Sequence, residues 1–153
     1  MSKLKAGDAA PDIVARTSDG IEFRLRDFRG KSGLVLFFYP KDGTRICTAE
    51  ACAFRDSYQR FQDAGFEVVG ISGDSNGSHA EFASENRLPF PLLADEDGSL
   101  RRLFGVPKVL GLLPGRATYV INREGVVCSI FSAAFASDEH VHQALQAIAQ
   151  MNP

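Results

Sequence analysis

The spacing of apolar positions changes several times along the 153-residue chain. "IEFRL", at 21 to 25, alternates apolar with polar and predicts a half-buried strand. "GLVLFFY" (33 to 39) and "FEVVGIS" (66 to 72) are almost continuously apolar, which predicts strands buried on both faces. Between them the period lengthens. Ala51, Phe54, Tyr58 and Phe61 fall at steps of three and four and predict a helix over 48 to 64. Ser78 with Glu81 makes an S-x-x-E capping box, which predicts a helix running to about Glu85. Past Pro89 and Pro91, "LLA" predicts a short strand, followed by a helical turn near Ser99 to Phe104. "ATYVI" (117 to 121) and "VVCSIF" (126 to 131) flank the turn "NREG" and predict a β-hairpin. Val141, Leu145 and Ile148 share one stripe of a closing amphipathic helix over Asp138 to Gln150. Buried, parallel-type strands early and a hairpin late imply a mixed sheet covered by helices, in one α/β domain spanning residues 1 to 153.

Composition narrows the partners. Lys plus Arg total 17 and Asp plus Glu 19, a formal net charge of -2, so there is no basic footprint for nucleic acid and no acidic tail. The longest apolar run, "GLVLFFYP", is far short of the ~20 residues that span a bilayer, so no membrane segment is expected. The start, "MSKLKAGDAAPD", lacks the apolar core of a secretory signal. Three cysteines do not make a disulfide scaffold, and an odd count favours reduced, working thiols. The expected compartment is therefore cytoplasmic, or the plastid stroma had a transit peptide been removed.

Two of those thiols lie five positions apart in "YPKDGTRICTAEACAFRD", residues 39 to 56. Cys47 sits where a buried strand has ended and a helix begins. A helix N-terminus carries partial positive charge and unpaired N–H groups, and both favour a thiolate over a thiol. A buried structural cysteine remains the alternative at this position. Five helical residues separate two Cα atoms by ~8.6 Å, beyond the ~7 Å that a disulfide tolerates. Cys47 and Cys52 therefore cannot bridge while their helix is intact, and bridging would unwind its first turns.

The same stretch resembles the active-site segment of the peroxiredoxins. Pro40, Thr44 and Cys47 meet the P-x-x-x-[TS]-x-x-C signature, and a cysteine five residues later marks the peroxiredoxin Q, or bacterioferritin comigratory protein, subfamily. "GDAAPDI" is similar to that subfamily's entry segment, and "GLLPGRATYVINREGVV" to its second active-site segment, in the plastid and cyanobacterial branch. The resemblance implies a thioredoxin-like fold, with a mixed central β-sheet flanked by helices and an N-terminal β extension. It implies a thiol-dependent peroxidase for hydrogen peroxide and alkyl hydroperoxides, re-reduced by thioredoxin or a similar dithiol protein, with no cofactor. In that reading Cys47 is the peroxidatic thiolate and Cys52 the resolving thiol, joined in an intramolecular disulfide during turnover. Thr44 places a hydroxyl near the sulfur, Pro40 shields it from water, and Arg116 stabilises thiolate and leaving oxygen. Glu50 orients the arginine. Members with an intramolecular resolving cysteine are commonly monomeric, which implies a monomer. Arg45 and Ile46 depart from the Pro-Gly or similar small residues common before the peroxidatic cysteine, and the β-branched Ile46 would narrow or stiffen the approach.

Other candidates read more plainly. Strand alternation places Cys128 with Val126 and Ile130, as a buried structural cysteine. Cys47, Cys52 and Cys128 lack the second close Cys/His pair of a zinc site, so no metal is expected. His79 follows Ser78 as a solvated first-turn residue, and "HVH" (140 to 142) opens an amphipathic helix. Two rivals stay open on residues alone. A disulfide oxidoreductase would want C-x-x-C, which is absent; a redox sensor or holdase borrowing the fold would not turn over peroxide.

Overall fold

The computed structural model describes residues 4–109, 113–133 and 137–151. Five strands form the central sheet: β3 (Gly33–Phe38), β4 (Phe66–Ser72), β5 (Leu92–Ala94), β8 (Ala117–Ile121) and β9 (Val127–Ser132), in the order β5-β4-β3-β8-β9. β3, β4 and β5 run parallel, whereas β8 and β9 pair antiparallel, so the mixed sheet predicted from the apolar runs is present. A short hairpin of β1 (Val14–Arg16) and β2 (Glu22–Arg24) supplies the N-terminal extension. β6 (Lys108–Val109) and β7 (Leu113–Pro114) form a second small pair.

The continuous apolar runs serve two cores. Leu34, Leu36 and Phe38 of β3 join Ile13, Phe23, Ile71, Phe104 and Tyr119 on one face. Val35, Phe37 and Tyr39 face the other way, with Cys47, Phe54, Phe61, Phe82, Val120, Val141 and Ile148. α1 (Arg45–Asp56), α2 (Tyr58–Asp63), α3 (Asn76–Asn86) and α5 (Ser137–Met151) cover that second face, and α4 (Ser99–Phe104) lies on the first.

The structure corrects several expectations. The helix expected over 48 to 64 begins earlier, at Arg45, and breaks at Ser57, where ψ is 3° and the N–H reaches the carbonyls of Ala53 and Phe54. The apolar stripe runs across the break, because Phe54 and Phe61 remain buried on either side. The cap of α3 is Ser75, not Ser78: its side chain accepts from the Ser78 N–H at 3.2 Å. Cys128 is half-buried rather than buried. Ile121 pairs with Val127 and Val120 with Ser129, so Cys128 is the extra residue of a β-bulge and loses the alternation that periodicity assumed.

Candidate active site

The loop from β3 to α1 builds the site. Gly43 adopts φ +77°, a left-handed turn that glycine enters without strain, and Thr44 is extended at the helix N-cap. Asp42 anchors the loop from below. Its Oδ1 accepts from Tyr39 Oη at 2.6 Å, its Oδ2 lies 2.9 Å from Ser78 Oγ and 2.7 Å from His79 Nδ1, and its own N–H donates to Asp74 Oδ2 at 2.8 Å. Burial raises the Asp42 carboxyl, but hydrogen bonds from His79 and Tyr39 outweigh it and leave the group below its usual range. His79 is thus fully buried, with Nε2 3.0 Å from the Leu93 carbonyl, and not the solvated residue expected from the sequence. Asp42, Asp74 and His79 cluster closely enough for a cation, yet both Asp42 oxygens, Asp74 Oδ2 and both His79 ring nitrogens are already engaged in hydrogen bonds.

On this floor Cys47 occupies the first turn of α1 and is buried, at 1 % exposure. Arg116, the residue before β8, sits beside the end of β3, where Ala117 pairs with Phe38, and its Nη2 donates to Cys47 Sγ at 3.3 Å. Its backbone approach depends on Gly115, where a Cβ would lie 1.9 Å from the Pro107 carbonyl oxygen. Pro40, Thr44, Arg45, Ile46, Cys47, Ala49 and Arg116 line one open cleft of about 650 Å³. Four residues singled out in the sequence (Pro40, Thr44, Cys47 and Arg116) therefore meet at one opening. Ile46 forms part of its wall. The Thr44 hydroxyl donates to the Lys41 carbonyl at 2.9 Å, which fixes the side chain at the cleft.

Glu50, one helical turn after Cys47, is fully buried, and its Oε1 accepts a short hydrogen bond from Arg116 Nη1. Burial pushes its carboxyl from 4.5 to about 7, with Arg116 pulling the other way. Burial likewise works against the Arg116 charge, but Glu50 and Cys47 more than restore it. Cys52 lies outside the cleft on the same continuous helix. It is half-buried, and its Sγ is 3.7 Å from Asn86 Oδ1. All three cysteines are free thiols.

Two residues to which the sequence reading gave no part in the site belong to this neighbourhood. Arg101, on α4, donates Nη2 to the Tyr39 carbonyl at 3.2 Å. Burial lowers its guanidinium, while the charges of Asp95 and Cys47 act in the opposite sense. His140, in the first turn of α5, is buried 3.5 Å from Glu50 Oε2 and 2.8 Å from Thr118 Oγ1. Burial, the largest influence, holds its imidazole below the ordinary value. Periodicity had no means to single out either residue, since "SLRRLF" and "DEHVHQAL" read as ordinary amphipathic turns.

Comparison with known proteins places this arrangement. The AhpC/TSA family model matches residues 6–130. "Peroxiredoxin Q, chloroplastic" from Populus jackii is 47% identical over 146 residues, covering 95% of this chain and 68% of its own. The chain thus spans about two thirds of that relative's length. The crystal structure of Peroxidoxin BcpB from Mycobacterium tuberculosis superposes with a TM-score of 0.89 at 36% identity, covering 97% of this chain and 98% of that one. A Xanthomonas campestris bacterioferritin comigratory protein, solved for its alkyl peroxide reduction activity, superposes at 0.84 with 30% identity and 92% of both chains covered.

Proposed function

This chain belongs to the AhpC/TSA family, and from that membership together with the Cys47 cleft we infer that it is a thiol-dependent peroxidase. The observation that carries the reading is the Arg116 Nη2 to Cys47 Sγ contact at 3.3 Å, made inside an open cleft at a helix N-terminus. A guanidinium on the sulfur, at the positive end of α1, is the setting in which a cysteine acts as a nucleophile.

The Cys47 thiolate attacks one oxygen of a hydroperoxide. The S–O bond forms as the O–O bond breaks, the sulfur gives up two electrons, and the leaving oxygen takes a proton to become water or an alcohol. Arg116 meets the charge that develops between the two oxygens, a donor held in place in advance by Glu50. Thr44 and Pro40 shape the opening and limit water at the sulfur. Cys47 is left as a sulfenic acid, and the Cys52 thiol displaces its hydroxyl as water to give the disulfide. Because α1 is helical from Arg45 to Asp56, this closure unwinds part of it and carries the disulfide outward. A dithiol protein of the thioredoxin kind then reduces it.

On this reading the protein acts as a monomer, without cofactor, in a reducing compartment, the cytoplasm or the chloroplast named for the Populus jackii relative. The direct test is NADPH consumption with thioredoxin and thioredoxin reductase, using hydrogen peroxide and several alkyl hydroperoxides. Saturable, peroxide-dependent turnover is expected. Oxidation without turnover would leave a redox sensor, and insulin reduction without peroxide turnover would leave a disulfide oxidoreductase.

A further inference from the structure

Behind the sulfur lies a buried set of groups that sulfur chemistry does not itself use. Glu50 is fully buried; Oε1 meets Arg116, but among the described residues Oε2 has no hydrogen-bond partner and lies 3.5 Å from His140 Nδ1. His140 Nε2 is 2.9 Å from the Ala133 carbonyl, an acceptor, so Nε2 carries a hydrogen. Nδ1 of the neutral ring is then an acceptor, taking the Thr118 hydroxyl at 2.8 Å and offering no hydrogen to Glu50 Oε2 at 3.5 Å. An ionised, donorless carboxylate oxygen beside a lone pair is costly in a buried site. A proton on Oε2 removes that cost and can be shared toward Nδ1.

Charge counting leads to the same place. Arg116, just before β8, faces two groups able to be anionic, Cys47 and Glu50, both on α1. From α5 the neighbour is His140, itself influenced by Glu139, and the further cation Arg101 is answered by Asp95. One guanidinium neutralises one anion. We propose that Glu50 stores a proton while Cys47 is a thiolate and releases it when Cys47 is oxidised, so that the charge facing Arg116 passes from sulfur to carboxylate. The proposal rests on the peroxidase reading of Cys47.

The oxidation step balances as Cys47–S⁻ plus R–O–O–H plus H⁺, giving Cys47–S–OH and R–OH. The leaving oxygen consumes one proton, and ionisation of Glu50 yields one in the same step. The buried site therefore passes from one neutral pairing with Arg116 to another. Burial, which brings the Glu50 carboxyl to about 7, keeps both of its forms accessible near neutral pH. His140 is the positioning residue that accepts from the protonated form.

Infrared difference spectra of protein labelled with ¹³C-carboxyl glutamate, reduced against treated with one equivalent of hydrogen peroxide, test this directly. The expected result is loss of a protonated-carboxyl band and gain of a carboxylate band on oxidation, with both changes absent in Glu50→Gln. Mass spectrometry of the same samples reports whether Cys47 was oxidised. Oxidised Cys47 with unchanged glutamate bands, or the same changes in Glu50→Gln, overturns the proposal while leaving the peroxidase reading intact. Unoxidised Cys47 removes both. If Glu50→Gln does not fold, His140→Phe replaces it: without the acceptor the protonated band of the reduced protein should shrink, and an unchanged band overturns the proposal.

Discussion

Cys47 and Cys52 share one helix and one chemistry, yet the fold gives them opposite surroundings. Cys47 is buried at the helix N-terminus, at the floor of a cleft, with a guanidinium on its sulfur. Cys52 is half-buried beyond the first turn, facing the amide of Asn86 at the end of α3. Charge and access distinguish them: the first is equipped to meet a small electrophile, the second to wait near the surface. On the proposed mechanism, α1 holds the two sulfurs' residues too far apart to bridge while it is intact, so oxidation of Cys47 would precede disulfide closure.

The strongest way to break this comparison is to exchange sulfur for oxygen at each site. Cys47→Ser should abolish peroxide consumption, because an alcohol is scarcely ionised near neutral pH. Cys52→Ser should consume about one equivalent and then stall as a sulfenic acid open to further oxidation. Mass spectrometry that located the first oxygen on Cys52 would reverse the assignment.

Next in size is the charge at Cys47. Arg116→Ala removes the donor aimed at both sulfur and leaving oxygen, and comparable losses cost about 10²–10³ in rate. Stopped-flow measurement of peroxide reduction should show that loss in kcat/KM with the fold retained by circular dichroism. Normal turnover would take Arg116 out of the site.

The helix itself offers the third measurement. Closing the Cα separation from ~8.6 Å to under ~7 Å cannot be done by a regular helix. Amide exchange across residues 44 to 56 should therefore quicken in the disulfide form, with a small loss of helical circular dichroism. Equal exchange in both redox states would mean that the disulfide forms without unwinding.

A smaller effect separates the electrostatic settings of the two cysteines. Glu50 lies behind Cys47 alone, and its carboxyl is raised from 4.5 to about 7 in the fold. The folded state then binds more protons than the unfolded chain between those values, so this group's stabilising contribution is complete below about 4.5 and is lost as pH rises through about 7. Denaturant midpoints of the reduced protein should fall over that window relative to Glu50→Gln. Parallel curves for the two proteins would show that Glu50 titrates as an ordinary carboxyl.

How far the sequence reached follows the range of the interactions. β3, β4, β8 and α4 stood out because their apolar periods are local properties, and the P-x-x-x-T-x-x-C run placed Pro40, Thr44 and Cys47 on one loop. The break at Ser57 was hidden because burial continues through it, and the bulge at Cys128 because alternation counts residues without knowing which one is skipped. Arg116 emerged only from the combined motif, since an arginine after a Pro-Gly turn is otherwise an ordinary solvated side chain. His79, His140 and Arg101 lay out of reach: each becomes part of the site through packing between elements 14 to 62 residues apart in the hydrogen bonds that hold them.

The finest test concerns what holds Cys52 back. Asn86 ties the end of α3 to α1 twice: its Oδ1 faces Cys52 Sγ at 3.7 Å, and its backbone carbonyl accepts from Arg55 Nη1 at 2.8 Å. The next residue, Arg87, adopts φ +51°, the left-handed conformation in which α3 ends. Asn86→Ala keeps the backbone bond to Arg55 and deletes the contact to the thiol together with the Asn86 Nδ2 bond to the Phe82 carbonyl, which lies within α3 and does not touch Cys52. A thiol is a weak donor, so the loss is at most about 1 kcal/mol, and the rate at which Cys52 leaves its resting place should rise by roughly twofold to fivefold. Faster release means faster disulfide formation and less sulfinic acid at Cys47 for a given peroxide dose, which mass spectrometry reads as a ratio of the two products. Slower disulfide formation with more sulfinic acid would give Asn86 the contrary role, as a guide that aligns Cys52 for attack.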